Sequence, residues 1–126
     1  MLLIVTEKPS AAQNFAKALG GKSGTFNGEQ YEIIALAGHV MQYVSPENMV
    51  SDSKSEEYKS WDMKYLPWNP KDLSFEREVA PNKSRLLSGL KAASKRADVL
   101  VIATDVDPSG EGELIAMEAF QEIGWK

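Results

Sequence analysis

Two short, wholly apolar runs constrain this chain more than any other feature: Leu2-Leu3-Ile4-Val5 near its start and Val99-Leu100-Val101-Ile102-Ala103 near its end. A strand exposed on one face alternates apolar and polar residues, whereas a strand covered on both faces does not. Each run therefore reads as a covered strand, and the residues after each one support that. After Thr6-Glu7-Lys8, Pro9 suits the first turn of a helix. Ala11, Ala12, Phe15, Ala16 and Leu19 give that helix an apolar stripe, and Gly20-Gly21 stops it. After Thr104-Asp105 comes a Pro/Ser/Gly loop. A helical stretch with Leu114, Ile115, Ala116, Met117, Ala119, Phe120 and Ile123 comes next, with Gly124 as its C-cap. Two strand–loop–helix units of this kind predict an α/β fold, with a mainly parallel sheet flanked by helices on both faces.

Between the two units, residues 31–37 read as another strand, and Leu73 to Val79 alternates like a half-exposed one. Asn82 is placed to cap a helix running to about Ala97, with Leu86, Leu87, Leu90 and Ala93 facing inward. Residues 38–72 are less regular, broken by Gly38, Pro46, Pro67 and Pro70. They read as an insertion with room for one short helix, anchored by Trp61, Tyr65 and Trp68. No internal repeat or linker divides the chain, so residues 1–126 are expected to form a single domain.

Composition narrows the chemistry. The chain has no cysteine, which excludes disulfides and thiolate metal sites. A metal site must come from carboxylates and the single histidine, His39. No apolar run approaches the ~20 residues of a membrane span. Met1 leads into apolar sequence without a basic region, so no secretory signal is expected, and the cytoplasm is the expected location. A net charge of −4 argues against a general nucleic-acid coat protein. The charges are segregated, however. Lys83, Arg85, Lys91, Lys95 and Arg96 fall in a stretch without acids, and from Asp98 to Trp125 the chain is acidic without a base. Either run is most simply a solvated face, and the basic one is also a candidate to meet DNA.

In such sheets, ligands bind beyond the carboxyl ends of the strands. Glu7 and Asp105 stand at those ends. Asp105, Asp107 and Glu111 share one loop, and Glu113 lies at the helix entrance. Crowded carboxylates raise one another's pKa unless a cation neutralises them, and hard oxygen donors favour Mg²⁺, with Mn²⁺ as its substitute. A plainer reading stands beside this one. Asp-x-Asp loops form Asx turns, and acids are favourable at any helix N-terminus. Lys8 and Ser10, at the start of the first helix, are placed to meet a phosphate, although Ser10 also suits a simple capping role.

These residues carry a resemblance. Thr6-Glu7-Lys8-Pro9-Ser10-Ala11-Ala12 resembles the opening of topoisomerase III-like enzymes of the type IA DNA topoisomerase family. Ala103-Thr104-Asp105-Val106-Asp107 with Gly110-Glu111 is similar to the Asp-x-Asp signature of the TOPRIM domain, a Rossmann-like fold. Gly112-Glu113-Leu114-Ile115-Ala116 looks like the helix after that signature, and Gly38-His39-Val40, Trp61 and Leu66-Pro67 resemble the intervening segment. The resemblance implies an N-terminal domain that holds Mg²⁺ and positions a DNA phosphodiester. It gives Glu7 acid–base or metal duty, Asp105, Asp107 and Glu111 metal duty, and Lys8, with Ser10, contact with the nucleic acid. Glu113 and His39 are secondary candidates.

The family's loop commonly reads Asp-x-Asp-Arg-Glu-Gly-Glu. Here Glu111 meets an acidic position with or without a two-residue insertion, Glu113 only with it, and the arginine has no counterpart. The implied reaction cleaves and religates one DNA strand through a tyrosine in a downstream domain. The implied partners are single-stranded DNA segments and the remaining domains of a parent enzyme. Tyr31, Tyr43, Tyr58 and Tyr65 are expected to be packing or surface residues, so the chain alone should not relax supercoils. The end of the chain just after its last helix favours an excised domain over a whole gene product. Two other readings stay open: a free-standing TOPRIM nuclease or primase-like protein, and a non-catalytic nucleic-acid-binding module.

Overall fold

The computed structural model describes residues 1–125. In chain order the elements are β1 (Leu2–Thr6), α1 (Pro9–Leu19), β2 (Ser23–Phe26), β3 (Glu29–Ala35), β4 (Met41–Tyr43), α2 (Ser55–Lys59), β5 (Arg77–Val79), α3 (Ser84–Ser94), β6 (Val99–Ile102) and α4 (Glu111–Ile123). They form two compact units. One joins Met1–Val40 to the chain from Ala80 onward, and the other is Met41–Val79.

The first unit is built on a four-stranded sheet in the order β2-β3-β1-β6. β1 runs parallel to both neighbours, with Leu2 opposite Tyr31 on one side and Val99 on the other. Successive residues of a strand face opposite sides of its sheet. Ile4 joins Ala12, Tyr31 and Ile33 in a core under α1, with Leu2, Ala16 and Leu19 packed against it. Leu3 and Val5 point the other way and are fully buried. On that side α3 and α4 pack on one another and contribute Leu87, Leu90, Ile115, Ala116, Ala119 and Phe120 to the buried set. The expected α/β sandwich of a mainly parallel sheet with flanking helices is present.

Several local features differ from the sequence reading. β6 is as apolar as β1 but lies at the sheet edge, and Val99 and Ile102 are 49% and 36% exposed. Composition reported a strand; neighbours decided its cover. β2, not anticipated, forms a hairpin with β3 through Asn27-Gly28, whose φ values of 49° and 84° are those of a type I′ turn. All four β2 residues are exposed, so the strand has no apolar alternation to betray it. Asn82 lies at φ 64°, outside the helix it was expected to cap; Lys83 is the N-cap and α3 ends at Ser94.

The second unit holds a two-stranded ribbon, in which Met41 pairs with Val79 and Tyr43 with Arg77, plus α2 and four 3-10 turns. The expected strand from Leu73 begins only at Arg77, since Phe75 takes φ 51° and interrupts the extended chain. Trp68 stacks on Tyr58 at 5.1 Å and packs against Trp61 at 4.6 Å, while Lys64 lies over the Tyr65 ring. Asp72 accepts from Lys54 and from the Tyr58 hydroxyl, each at 2.8 Å. These bonds, that of Lys54 foremost, hold its carboxyl below the usual range.

Candidate metal and phosphate site

The parallel register of β1 and β6 carries their carboxyl ends to the same edge of the first unit. The Ala103 amide donates to the Val5 carbonyl at 2.8 Å, so the two chains leave the sheet side by side. Beyond that bond, Glu7, Lys8, Ala11, Ala103, Thr104 and Asp105 line a recess of about 10 Å³, close to the room one water needs. Lys8 reaches across from the end of β1 to Asp105, Nζ to Oδ2 3.6 Å, with the two side chains 60% and 80% exposed. An ion pair so open to solvent contributes little to stability and exchanges readily with other ions. Glu7 is half-buried at the same recess.

The start of α1 differs from the start of α4. α1 begins with Lys8 as N-cap and Pro9 in the first turn, has no side-chain cap, and carries no acid there. Ser10 lies exposed on that turn. Its partial positive charge and uncapped amides suit an anion. α4 carries Glu111 and Glu113 in its first turn.

The loop before α4 is ordered by Asp107. Its Oδ1 accepts from the Ser109 amide at 2.7 Å, from the Gly110 amide at 3.1 Å, and from the Ser109 hydroxyl. The Ser109 hydroxyl oxygen in turn accepts from the Glu111 amide at 3.2 Å. The Ser109 hydroxyl, then its amide, hold the Asp107 carboxyl below the usual range. Asp107 is thus an Asx-turn former with one oxygen committed to its own loop, and Ser109 links it to the helix. In the sequence alone, nothing marks Ser109 for this role.

Gly112 fixes how closely α4 approaches the end of β6. A Cβ there would sit 2.8 Å from the Thr104 side chain and 3.1 Å from the Asp105 carbonyl oxygen. Glycine at this position lets the first turn of the helix press against the residues that lead into Asp105.

His39 stands on the loop after β3, whose residues Ala37 and Gly38 take φ 55° and 89°. Its ring lies between two acids of α4, Nε2 3.3 Å from Glu111 and Nδ1 3.3 Å from Glu118. Glu113 is exposed one turn-face away, so the acid that meets the histidine is Glu111. Two residues here escape a reading of the sequence. Glu118 is only 8% exposed, and an acid within the apolar stripe Ile115-Ala116-Ala119-Phe120 is the signal that could have revealed it. Lys83 donates to the carbonyls of Leu36 at 3.0 Å and Ala37 at 2.7 Å, holding the loop that carries His39. Only spatial proximity shows that.

Among the described residues, no three or more His, Asp or Glu side chains converge as a ready metal cage. The donors at the recess are nonetheless carboxylate oxygens, Glu7 and Asp105, with a cation already drawn to Asp105. Mg²⁺ is commonly bound through one or two carboxylates, with water and substrate phosphate completing its shell, so the donor set fits. Two tyrosines are structural. Tyr31 is buried and donates to the Leu19 and Gly21 carbonyls, and Tyr58, buried too, has its hydroxyl pKa raised, chiefly by burial. A larger cavity of about 510 Å³ in the second unit is lined by Tyr43, Pro46, Met49, Leu73 and Phe75, with no acid among its walls.

The chain is similar to several known proteins. DNA topoisomerase 3 of Shouchella clausii is 31% identical over 116 residues, covering 90% of this chain and 15% of that protein. DNA topoisomerase 1 of Alkalihalophilus pseudofirmus is 32% identical over 122 residues, covering 88% of this chain and 16% of its own length. The crystal structure of full-length topoisomerase I from Thermotoga maritima superposes with a TM-score of 0.60 at 26% identity, over 97% of this chain and 16% of that one. The chain therefore spans about one sixth of the proteins it resembles. The model of the Toprim domain matches residues 2–124, nearly the whole sequence, and the chain belongs to the Toprim domain family.

Proposed function

We propose that this chain is the Toprim domain of a type IA DNA topoisomerase, an isomerase acting on DNA in the cytoplasm. In this reading it positions a DNA phosphodiester for cleavage and religation by a tyrosine elsewhere in a longer protein. The observation that carries the reading is the meeting of Glu7, Lys8 and Asp105 at one recess, from strand ends nearly a hundred residues apart.

Asp105, with Glu7 beside it, would hold Mg²⁺, or Mn²⁺ in its place, through one or two carboxylates; Asp107 and Glu111 lie outside the lining of that recess. The ion would supply charge neutralisation at a phosphate oxygen. The chain's own residues do the rest. Lys8, freed from Asp105, turns its ammonium to a non-bridging phosphate oxygen, where negative charge grows in the transition state. The uncapped start of α1, with Ser10, orients the same phosphate. Where Glu7 is not bound to the ion, it would serve instead as the acid–base group, handing a proton to the departing sugar oxygen and taking it back on resealing. The partners of this site are single-stranded DNA and the other domains of the enzyme.

Two measurements test the reading. Calorimetry should show Mg²⁺ binding to the chain that Asp105→Asn abolishes or sharply weakens; identical titrations of the two proteins would count against it. In the longer parent protein, Glu7→Gln should suppress cleavage of a labelled single-stranded oligonucleotide, and undiminished cleavage would refute the role of Glu7.

A further inference from the structure

Cations are favourable in the last turn of a helix and acids in the first, because the helix ends carry opposite partial charges. α3 has Lys91 in its last turn and Lys95 at its C-cap, as that rule asks, but its first turn carries Arg85 and no acid. Arg85 is exposed and has no ion-pair partner among the described residues. A cation so placed works against the helix that bears it, and helix stability does not account for it.

The outward residues of α3 extend the pattern. Arg85, Ser88, Ala92 and Lys95 follow the three- and four-residue steps of one helix face, all of them exposed, and Lys91 flanks them. Leu87, Leu90 and Ser94 follow the same steps on the opposite face and are buried. Lys91 and Lys95, like Arg85, have no carboxylate partner among the described residues. Arg96 is already committed, to the Ala92 carbonyl at 3.0 Å and to Glu32 at 2.7 Å. From Pro81 to Ala97 the sequence holds no acid. Ser88 and Ala92 are short, so an anionic chain can lie close to the helix with a cation at either end.

This face begins at the edge that carries the recess. Lys83, the N-cap of α3, donates to the carbonyls of Leu36 and Ala37 just past β3, and Leu36 donates to the Thr6 carbonyl at the end of β1. After α3, Asp98 donates to the Met1 carbonyl, where β1 starts. α3 therefore runs back across the sheet, away from Glu7 and Lys8. Arg85 to Lys95 spans about 15 Å at the helical rise, the length of about four phosphates at the stacked spacing of one DNA strand.

We infer that the outward face of α3, through Arg85, Lys91 and Lys95, is a second DNA surface that holds the phosphodiester backbone of a single strand. The inference rests on the proposed function for the identity of the strand and adds a surface outside the recess. Cations that meet phosphates release condensed counterions, so such binding is indifferent to sequence and sensitive to salt.

The anisotropy of a fluorescein-labelled oligothymidylate, titrated with the chain over a series of salt concentrations, tests this. The triple variant Arg85→Gln/Lys91→Gln/Lys95→Gln should bind more weakly and lose about 2 from the slope of log K against log salt, about 0.7 for each single-strand phosphate contact removed. Lys17→Gln/Lys59→Gln/Lys71→Gln removes the same charge at exposed positions elsewhere and should keep most of the slope. Arg85→Gln alone should weaken binding while the melting temperature holds or rises. Equal slope losses in the two triple variants, undiminished binding by the α3 variant, or a wild-type chain that does not bind would each overturn the inference. An oligoglutamate peptide bound as tightly as the oligonucleotide, and released as fully by the α3 variant, would assign the face to an acidic protein partner and overturn it too. Lys8→Ala separates the two claims. Weaker binding by Lys8→Ala with unchanged binding by the α3 variant would keep the recess and remove the second surface; the reverse would keep the surface and count against the recess.

Discussion

The two strand–loop–helix units of this chain look alike in sequence and differ in nearly everything the fold makes of them. β1 is central, with Leu3 and Val5 fully buried, and its helix opens with Lys8, Ser10 and no acid. β6 is an edge, with Val99 and Ile102 exposed, and its helix opens with Glu111 and Glu113 after an aspartate-ordered loop. The first helix start carries positive potential and the second carries acids, while each strand end adds one carboxylate, Glu7 or Asp105. Parallel pairing sets them side by side, so a single edge of the sheet presents both signs of charge. The proposed cation and phosphate would both meet that edge. Equal hydrophobicity does not confer equal burial, and polarity at the helix starts, rather than in the strands, divides the labour.

The division can be broken by mutation. The largest effect is expected in the strands: Leu3→Ala should cost about 2–5 kcal/mol in denaturant unfolding, whereas Val99→Ala should stay within about 0.5 kcal/mol. Similar costs would erase the contrast between centre and edge.

Next come the helix starts. Lys8→Ala in the longer parent protein should slow single-strand cleavage about 100-fold or more, while Glu113→Gln should leave the rate near wild type. Equal losses would show that position on the first turn does not matter.

Gly112→Ala tests the close approach that only the second strand–loop–helix unit makes. Overpacking against Thr104 should cost about 1–3 kcal/mol, with shifts in the amide spectrum centred on Asp105. A neutral substitution would mean that the helix can back away freely.

The smallest effect concerns Asp107, whose hydrogen bonds keep its folded-state pKa below the usual 3.8. A depressed carboxylate pKa stabilises the fold above the unfolded value, and that gain disappears as pH falls through the folded value. Wild type should therefore lose more stability than Asp107→Asn between neutral pH and the acid side of 3.8. Parallel melting curves across that window would remove Asp107 as the loop's anchor.

Much of this is legible in the residues. The apolar runs announce β1 and β6, Gly20 and Gly124 mark helix ends, and Glu7 and Asp105 belong together because parallel strands end on the same edge. What escapes depends on neighbours. β2 is fully exposed and is held by pairing through Asn27-Gly28, a turn signal with no apolar alternation on its first side to make it a hairpin. Asp107 turns toward its own loop because Ser109 and Gly110 offer donors two and three residues away, which an acid count does not register. Glu118 could be suspected as an acid in an apolar stripe, but His39, one of its partners, lies 79 residues distant. Lys83 gripping the end of β3 leaves no trace in local pattern.

The edge position of β6 also bears on how molecules of this chain meet one another. A row of strand amides and carbonyls with bare aliphatic groups beside it is adhesive, and lateral addition of a second chain would satisfy both. Concentrated samples therefore carry a built-in tendency toward edge-to-edge sheet growth, and a lysine introduced at Val99 would be the simplest way to make that edge repel its own kind.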